Sequence, residues 1–239
     1  MSFRDGGHIA PANSWGEQQV TDILSDLPPL HRLITAYAPK ALQDGMRHIW
    51  AFDARLADIV RTTSEPIIGQ MRLTWWREAI SEGKGAGDPL LAALRTDVLE
   101  KAGAGGLLSA IEGWEVLLEP LPLSDSQLVA FAENRGGGLF RQIGWLAGDC
   151  PPWLAQAGMA WALWDLSGHL SDAATAERAI AITPEFLADV PERGWPRSLA
   201  SLRILTGLTR RDAGQGRRAP PRLDLRQYGR LLWLGMRLG

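Results

Sequence analysis

Apolar positions in this chain recur every three or four residues, and the strict alternation of a half-buried strand is scarce. The pattern is plainest from Pro39 to Thr62. Leu42, Met46, Ile49, Phe52, Leu56 and Ile59 share one side of a helix there, and Pro39 is suited to start it. Upstream, EQQVTDIL (17–24) predicts a helix broken by Pro28-Pro29, and LHRLITAY (30–37) predicts the next. Downstream, SEP (64–66) reads as a start signal. Ser64 is the expected N-cap, Glu65 lies near the positive end of the helix dipole, and Pro66 sits in the first turn. That helix carries Ile67, Met71, Trp75 and Ile80, and GKGAGD (83–88) closes it.

Asp88-Pro89 opens another helix, and 107–118 is helical. Ser124 and Gln127 form a capping box for a helix reaching Gly148, interrupted at Gly136-Gly137-Gly138. Pro151-Pro152 begins a helix to Leu170, with further starts at Thr183-Pro184 and Trp195-Pro196. GQGRRAPP (214–221) reads as a linker, and LDLRQYGRLLWLGMRL (223–238) as a last amphipathic stretch. No fixed-period repeat and no nucleotide-binding glycine loop occurs. The expectation is an all-α, single-domain helical bundle: 1–16 a flexible N-terminus, 17–211 the helical domain, 212–239 the linker and a basic amphipathic C-terminal helix.

Composition changes this picture little. With 239 residues, 46% hydrophobic and 22% charged, the chain can bury a sizeable core. The single cysteine, Cys150, excludes an internal disulfide and a cysteine-based zinc site. The N-terminal MSFRDGGHIAPANSWGE lacks the apolar core of a signal peptide, and no run approaches the ~18 apolar residues of a membrane span. A cytoplasmic location, with peripheral contact at the inner membrane, is the expectation. Charge is uneven. From Arg203 onward nine arginines face two aspartates, a net +7, which leaves −9 on the rest of a chain whose total is −2. Such a tail suits an acidic partner, an anionic membrane or the chain's own acidic body. The arginines come with few aromatic neighbours and match no nucleic-acid module, so nucleic acid is not an expected partner.

Candidate chemistry is thin. There is no G-x-S-x-G, and His8, His31 and His48 are isolated in sequence. Asp165, His169 and Asp172 lie at i, i+4 and i+7, a spacing that presents a metal site on one helical face or merely caps a helix end. In MRLTWWREAI (71–80), neighbouring Trp75 and Trp76 cannot enter one core face, because successive helical residues point about 100° apart. Gly69, Arg72 and Trp76 share a face. It fits an apolar ligand with an anionic head, or a helix–helix seam.

Several stretches resemble the squalene/phytoene synthase family. They are YAPKALQDGMRHIWAFDARLADIV with EPIIGQMRLTWWREAI (37–80), ENRGGGLFRQIGWLAG (133–148) and AGMAWALWDLSGHL (157–170). The resemblance covers residues 30–205. It implies an isoprenoid-synthase fold around a central cavity, with Trp76 on the cavity wall. Active members of that family hold Mg²⁺ on two pairs of aspartates at i, i+4, and the metals neutralise a leaving diphosphate. Against those motifs, FDARLADIVR (52–61) places Ala57 and Arg61 at the ligand positions and keeps Asp58. ALWDLSGHLSDA (162–173) places His169 and Ala173 there, with Asp165 in place of an asparagine.

The degraded motifs, together with S-E-P-x-I-G-x-M-R-x-x-W-W-R, resemble a particular branch of the family. It includes the mitochondrial complex I assembly factor of this fold. That branch implies a non-catalytic protein, a pseudoenzyme with no cofactor, that binds an isoprenoid or other lipid or meets a respiratory-complex or membrane-surface partner. The alternative is an active prenyltransferase condensing two prenyl diphosphates head-to-head. Asp58, Asp165 and His169 would then hold Mg²⁺, and Asp58, Arg72, Trp76, Arg77 and Asp165 would contact substrate. A third reading is a helical bundle with protein contact as its only task.

Overall fold

The structure is a computed structural model that describes residues 27–85 and 87–220. The expected helix at 17–24, the flexible 1–16 and the amphipathic stretch 223–238 lie outside the described residues. Among the described residues every regular element is helical and no strand occurs. Helix α1 spans Pro29–Thr35, α2 Lys40–Thr62 and α3 Pro66–Ser81. Helix α4 (Pro89–Leu94) runs on through a π-helical turn, Arg95–Leu99, and a last turn, Glu100–Ala102. Then come α5 (Gly105–Val116), α6 (Asp125–Phe131), a second π-helical turn (Ala132–Gly137) and α7 (Gly138–Ala147). Helices α8 (Leu154–His169), α9 (Ala173–Ile182) and α10 (Ala200–Ala213) complete the fold, with 3₁₀ turns at Thr183–Leu187 and Arg197–Leu199.

Local sequence accounts for most boundaries. Asp88 caps α4 by accepting from the Leu91 N–H at 3.0 Å. Ser124 and Gln127 form the expected capping box of α6. Gly148, at φ 73°, closes α7 in the left-handed conformation that glycine adopts without strain. No helix among the described residues is long and apolar enough to cross a membrane.

Several expectations need correction. Ser64 is not the N-cap of α3. Pro66 occupies the first helical position, so Glu65 takes the cap place in extended conformation and makes no side-chain capping bond. The buried stripe of α3 is Gly69, Leu73, Trp76, Ala79 and Ile80. Ile67, Met71 and Trp75, at 66%, 69% and 43% exposure, point outward. The sequence offers two apolar stripes on this helix, and packing against α5 selects one. Asp172 does not extend the face of α8, because Leu170 is extended and ends that helix. The Asp172 carboxylate instead caps α9, accepting from the Thr175 N–H at 2.8 Å. Helix α9 itself is not among the helices expected from the sequence; its start signal is this Asp172 cap.

The triple glycine does not break its helix. It sits at the end of a π-helical turn where two backbones meet. A Cβ on Gly136 would lie 2.1 Å from the Gly158 carbonyl oxygen of α8, and the reverse holds for Gly158. Only glycine permits this approach. It draws the π-helical turn onto α8 and places Arg135, next to Gly136, in the centre of the molecule. Helices α2 and α8 form the middle of the core. Trp50, Phe52, Trp161 and Leu163 are fully buried there, with α5 and α7 packed around them. The linker does not stand away from the body. Arg218 pairs with Glu177 at 3.2 Å, and buried Ala219 lies against Gly168.

Candidate functional site

A cavity of about 490 Å³ opens between the first turn of α1, the second half of α2, the end of α5 and the C-terminal half of α8. Pro28 and Pro29 at one end of the described chain, and Ala219 and Pro220 at the other, form part of its rim. The stretches that resemble the two acidic motifs thus face the same space: Asp53, Ala57, Asp58 and Arg61 from α2, and Asp165 and His169 from α8.

Arg135 is the centre of the site. Its side chain is 3% exposed. Nε donates to Oδ1 of Asp53 at 3.0 Å and Nη2 to Oδ2 at 2.8 Å, a bidentate pair. Nη1 lies 2.8 Å from Oδ2 of Asp165 as an ion pair without hydrogen-bond alignment. Trp114 donates its Nε1–H to the same Asp53 carboxylate at 2.7 Å. The guanidinium also lies 4.4 Å from the ring centre of Trp114 and 4.6 Å from that of Trp161. Burial opposes the charge on Arg135, but Asp53 and Asp165 outweigh it and raise the pKa above the usual arginine value. Burial likewise pushes the Asp165 carboxyl up, while Arg135 foremost and the neighbouring His169 and His31 together pull it down, so Asp165 stays ionised at neutral pH.

His31 borders the same cavity at 7% exposure. Its ring stacks on Trp50, with centres 4.4 Å apart and planes 9° from parallel, and meets Trp161 edge-on at 5.9 Å. Neither ring nitrogen has a hydrogen-bond partner among the described residues. Burial lowers the His31 pKa to about 4, against the attraction of Asp165 and Asp53, so the ring is neutral at physiological pH.

The residues singled out from sequence divide sharply. Asp58, Asp165 and His169 all border the cavity. As a metal site they do not assemble. Asp58 is held by Arg61 at 2.7 Å, Asp165 by Arg135, and His169 Nδ1 lies 2.8 Å from the Asp165 carbonyl oxygen. Among the described residues no three His, Cys, Asp or Glu side chains converge on a point that could hold a metal ion. The Mg²⁺ set that the family resemblance implies therefore does not fit these residues, whose carboxylates already face arginines.

Trp76, Arg72 and Arg77 do not border this cavity. Trp76 is buried at 3% exposure against Phe52, with ring centres 5.4 Å apart. Gly69 faces Leu118, which a Cβ would approach to 2.8 Å. The shared face of Gly69 and Trp76 is thus a helix–helix seam. Arg77 spans that seam to Glu115 at 2.8 Å, and Arg72 is exposed. Trp75, by contrast, lies on the outer face of α3.

Asp53, Arg135 and Trp114 escaped the sequence reading, and His31 was set aside there as an isolated histidine. The available signal was Arg135 itself, a lone cation in ENRGGG before an apolar run, which is a costly residue to bury without a carboxylate elsewhere. His31 had no such signal, since an isolated histidine is ordinary. In comparison with known proteins, no family model matches the chain and no curated protein matches its sequence.

Proposed function

We propose that this chain is a non-catalytic member of the squalene/phytoene synthase family, with an isoprenoid-synthase-type fold whose cavity serves as a lipid or isoprenoid pocket rather than a reaction chamber. The observation that carries the reading is the Arg135 ion cluster. Where an enzyme of that kind needs free carboxylates to gather Mg²⁺ around a leaving diphosphate, Asp53 and Asp165 are committed to a buried arginine. Diphosphate departure needs several kcal/mol of charge stabilisation from held metals, and Ala57 and Arg61 supply none. The resemblance in sequence and the all-α bundle around a cavity support the family assignment; the pairing of the wall's carboxylates with arginines supports loss of catalysis. Incubation of purified full chain with farnesyl or geranylgeranyl diphosphate and Mg²⁺ tests it. No head-to-head product and no released diphosphate are expected, and sustained turnover refutes the reading.

A second observation favours an adaptor role in the same protein, as in the assembly-factor branch. Ile67, Met71 and Trp75, at i, i+4 and i+8 of α3, form an exposed apolar stripe beside Ile68. Exposed large apolar side chains in one line mark contact surfaces more than chance scatter does. The partner under this reading is a membrane-bound respiratory complex or the membrane surface next to it. Replacing Ile67, Met71 and Trp75 together by serine is expected to abolish co-sedimentation with respiratory membranes while leaving the fold intact. Unchanged co-sedimentation rejects this face as the contact.

A further inference from the structure

The last described residues lie at the mouth of the cavity, and 218–220 are pinned there. Arg218 pairs with Glu177 and donates to the Ala173 carbonyl oxygen at 3.4 Å, and the Ala219 N–H donates to Ser167 Oγ at 3.4 Å. The Ala219 carbonyl oxygen lies so close to Gly168 that a Cβ on that glycine would meet it at 2.0 Å. Ala219 is buried, and Pro220 is part of the rim. Residues 221–239 therefore start at the opening and not on a distant surface.

A covering segment has to match two properties of this mouth. It is apolar: Leu30, Val60, Leu117 and Leu170 line it, and each is only half-buried. It is also electronegative. Helices α2, α5 and α8 bring their C-terminal ends to it, as Arg61, Leu117 and His169 on the wall show, and a helix C-terminus carries a partial negative charge. Against these three stands the N-terminus of the short α1. Arg61, 73% exposed, is balanced by Asp58 at 2.7 Å. Further in, Asp53 and Asp165 outnumber Arg135 by one charge.

Two segments outside the described residues join the body at this rim, 1–26 by way of Pro28 and 221–239 by way of Pro220. Charge separates them. Residues 1–26 carry Arg4 against Asp5, Glu17, Asp22 and Asp26, so an electronegative mouth repels them. Residues 221–239 carry Arg222, Arg226, Arg230 and Arg237 against Asp224, interleaved with leucines and Trp233. We propose that residues 221–239 dock across the cavity mouth of their own chain, with Trp233 and the leucines on the apolar rim and the arginines toward the helix C-termini. Length suffices even for a helical segment. At 1.5 Å per residue, 223–238 spans about 24 Å, enough to cross helices whose axes pack about 8–10 Å apart. A ligand of the cavity then has to displace this segment to enter.

Site-specific photocrosslinking in the full chain tests the docking. Trp233→p-benzoylphenylalanine carries the probe, and tandem mass spectrometry maps the adducts of the monomer. Adducts within one chain at Leu30, Val60, Leu117 or Leu170 are expected. The reciprocal probe, Arg61→p-benzoylphenylalanine, replaces an exposed side chain and is expected to label 223–238, so the result does not hang on the folding of one variant. Exchanging Arg222, Arg226 and Arg230 together for glutamate is expected to lower the yield of either adduct at least fivefold, with the far-ultraviolet circular dichroism unchanged. Adducts confined to Ile67, Met71 and Trp75 of α3, adducts between two chains only, or no adduct from either probe in folded protein overturn the proposal. So does a yield that the charge reversal leaves unaltered, or one that passes entirely to lipid when phosphatidylglycerol vesicles are added.

Discussion

Replacing His31 by phenylalanine is expected to remove much of the acid sensitivity of this fold. His31 is buried, lies flat on Trp50 and has no partner for either nitrogen among the described residues. Burial depresses its pKa from 6.5 to about 4. The sign follows from which state binds the proton. Below pH 6.5 the unfolded chain takes up a proton that the fold refuses until about pH 4. The neutral histidine's contribution is therefore complete above pH 6.5, declines as the pH falls, and is flat below about 4. Each pH unit in that window costs about 1.4 kcal/mol, so the loss between pH 7 and 4 amounts to about 3 kcal/mol. That is a large part of a typical total of about 5–15 kcal/mol. Phenylalanine preserves the stacking and binds no proton. Urea unfolding of wild type and variant at pH 7, 6, 5 and 4 reads the difference. His48, whose pKa burial also lowers, is present in both proteins and cancels. The wild type should lose about 3 kcal/mol more than the variant over that range. Equal losses would refute the claim that His31 is buried in its neutral form.

Other outcomes follow from the same contacts. Arg135→Ala leaves Asp53 and Asp165 without their cation and should destabilise by about 3–5 kcal/mol at pH 7, as read by denaturant unfolding. Because the Asp165 carboxyl, no longer held down by Arg135, can then take a proton, the deficit should shrink as the pH is lowered. Trp76→Ala should cost about 3–5 kcal/mol and Trp75→Ala under about 1 kcal/mol, a contrast that thermal unfolding resolves. Gly158→Ala forces a Cβ against the Gly136 carbonyl and should cost about 1–3 kcal/mol or more in the same assay. Asp172→Ala should cost about 1 kcal/mol through loss of the α9 cap.

Much of the fold was legible in the sequence because its helices carry local signals. Pro39, Asp88-Pro89 and the Ser124–Gln127 box all mark real starts. What could not be read was the choice between competing local solutions. Helix α3 has two apolar stripes, and only the neighbouring α5 decides that Trp76 rather than Trp75 is buried. The spacing of Asp165, His169 and Asp172 suits one helix, but an extended Leu170 divides them. The candidate site was half visible. Asp58, Asp165 and His169 do border one cavity. Their chemistry is set by Arg135, which lies 82 residues from Asp53 in the chain, and no periodicity reveals a pair so distant. The same holds for His31, whose burial depends on Trp50 and Trp161 closing over it.

On the proposed reading the cavity's carboxylates, already paired with the protein's own arginines, recruit no metal. Isothermal titration of the purified full chain with a non-hydrolysable farnesyl diphosphate analogue, in buffer with Mg²⁺ and in buffer with chelator, tests it most directly. Weak binding of the analogue, not strengthened by Mg²⁺, is expected. Tight binding that depends on Mg²⁺ would contradict it, because Asp58, Asp165 and His169 would then have to leave their present partners to build a metal site.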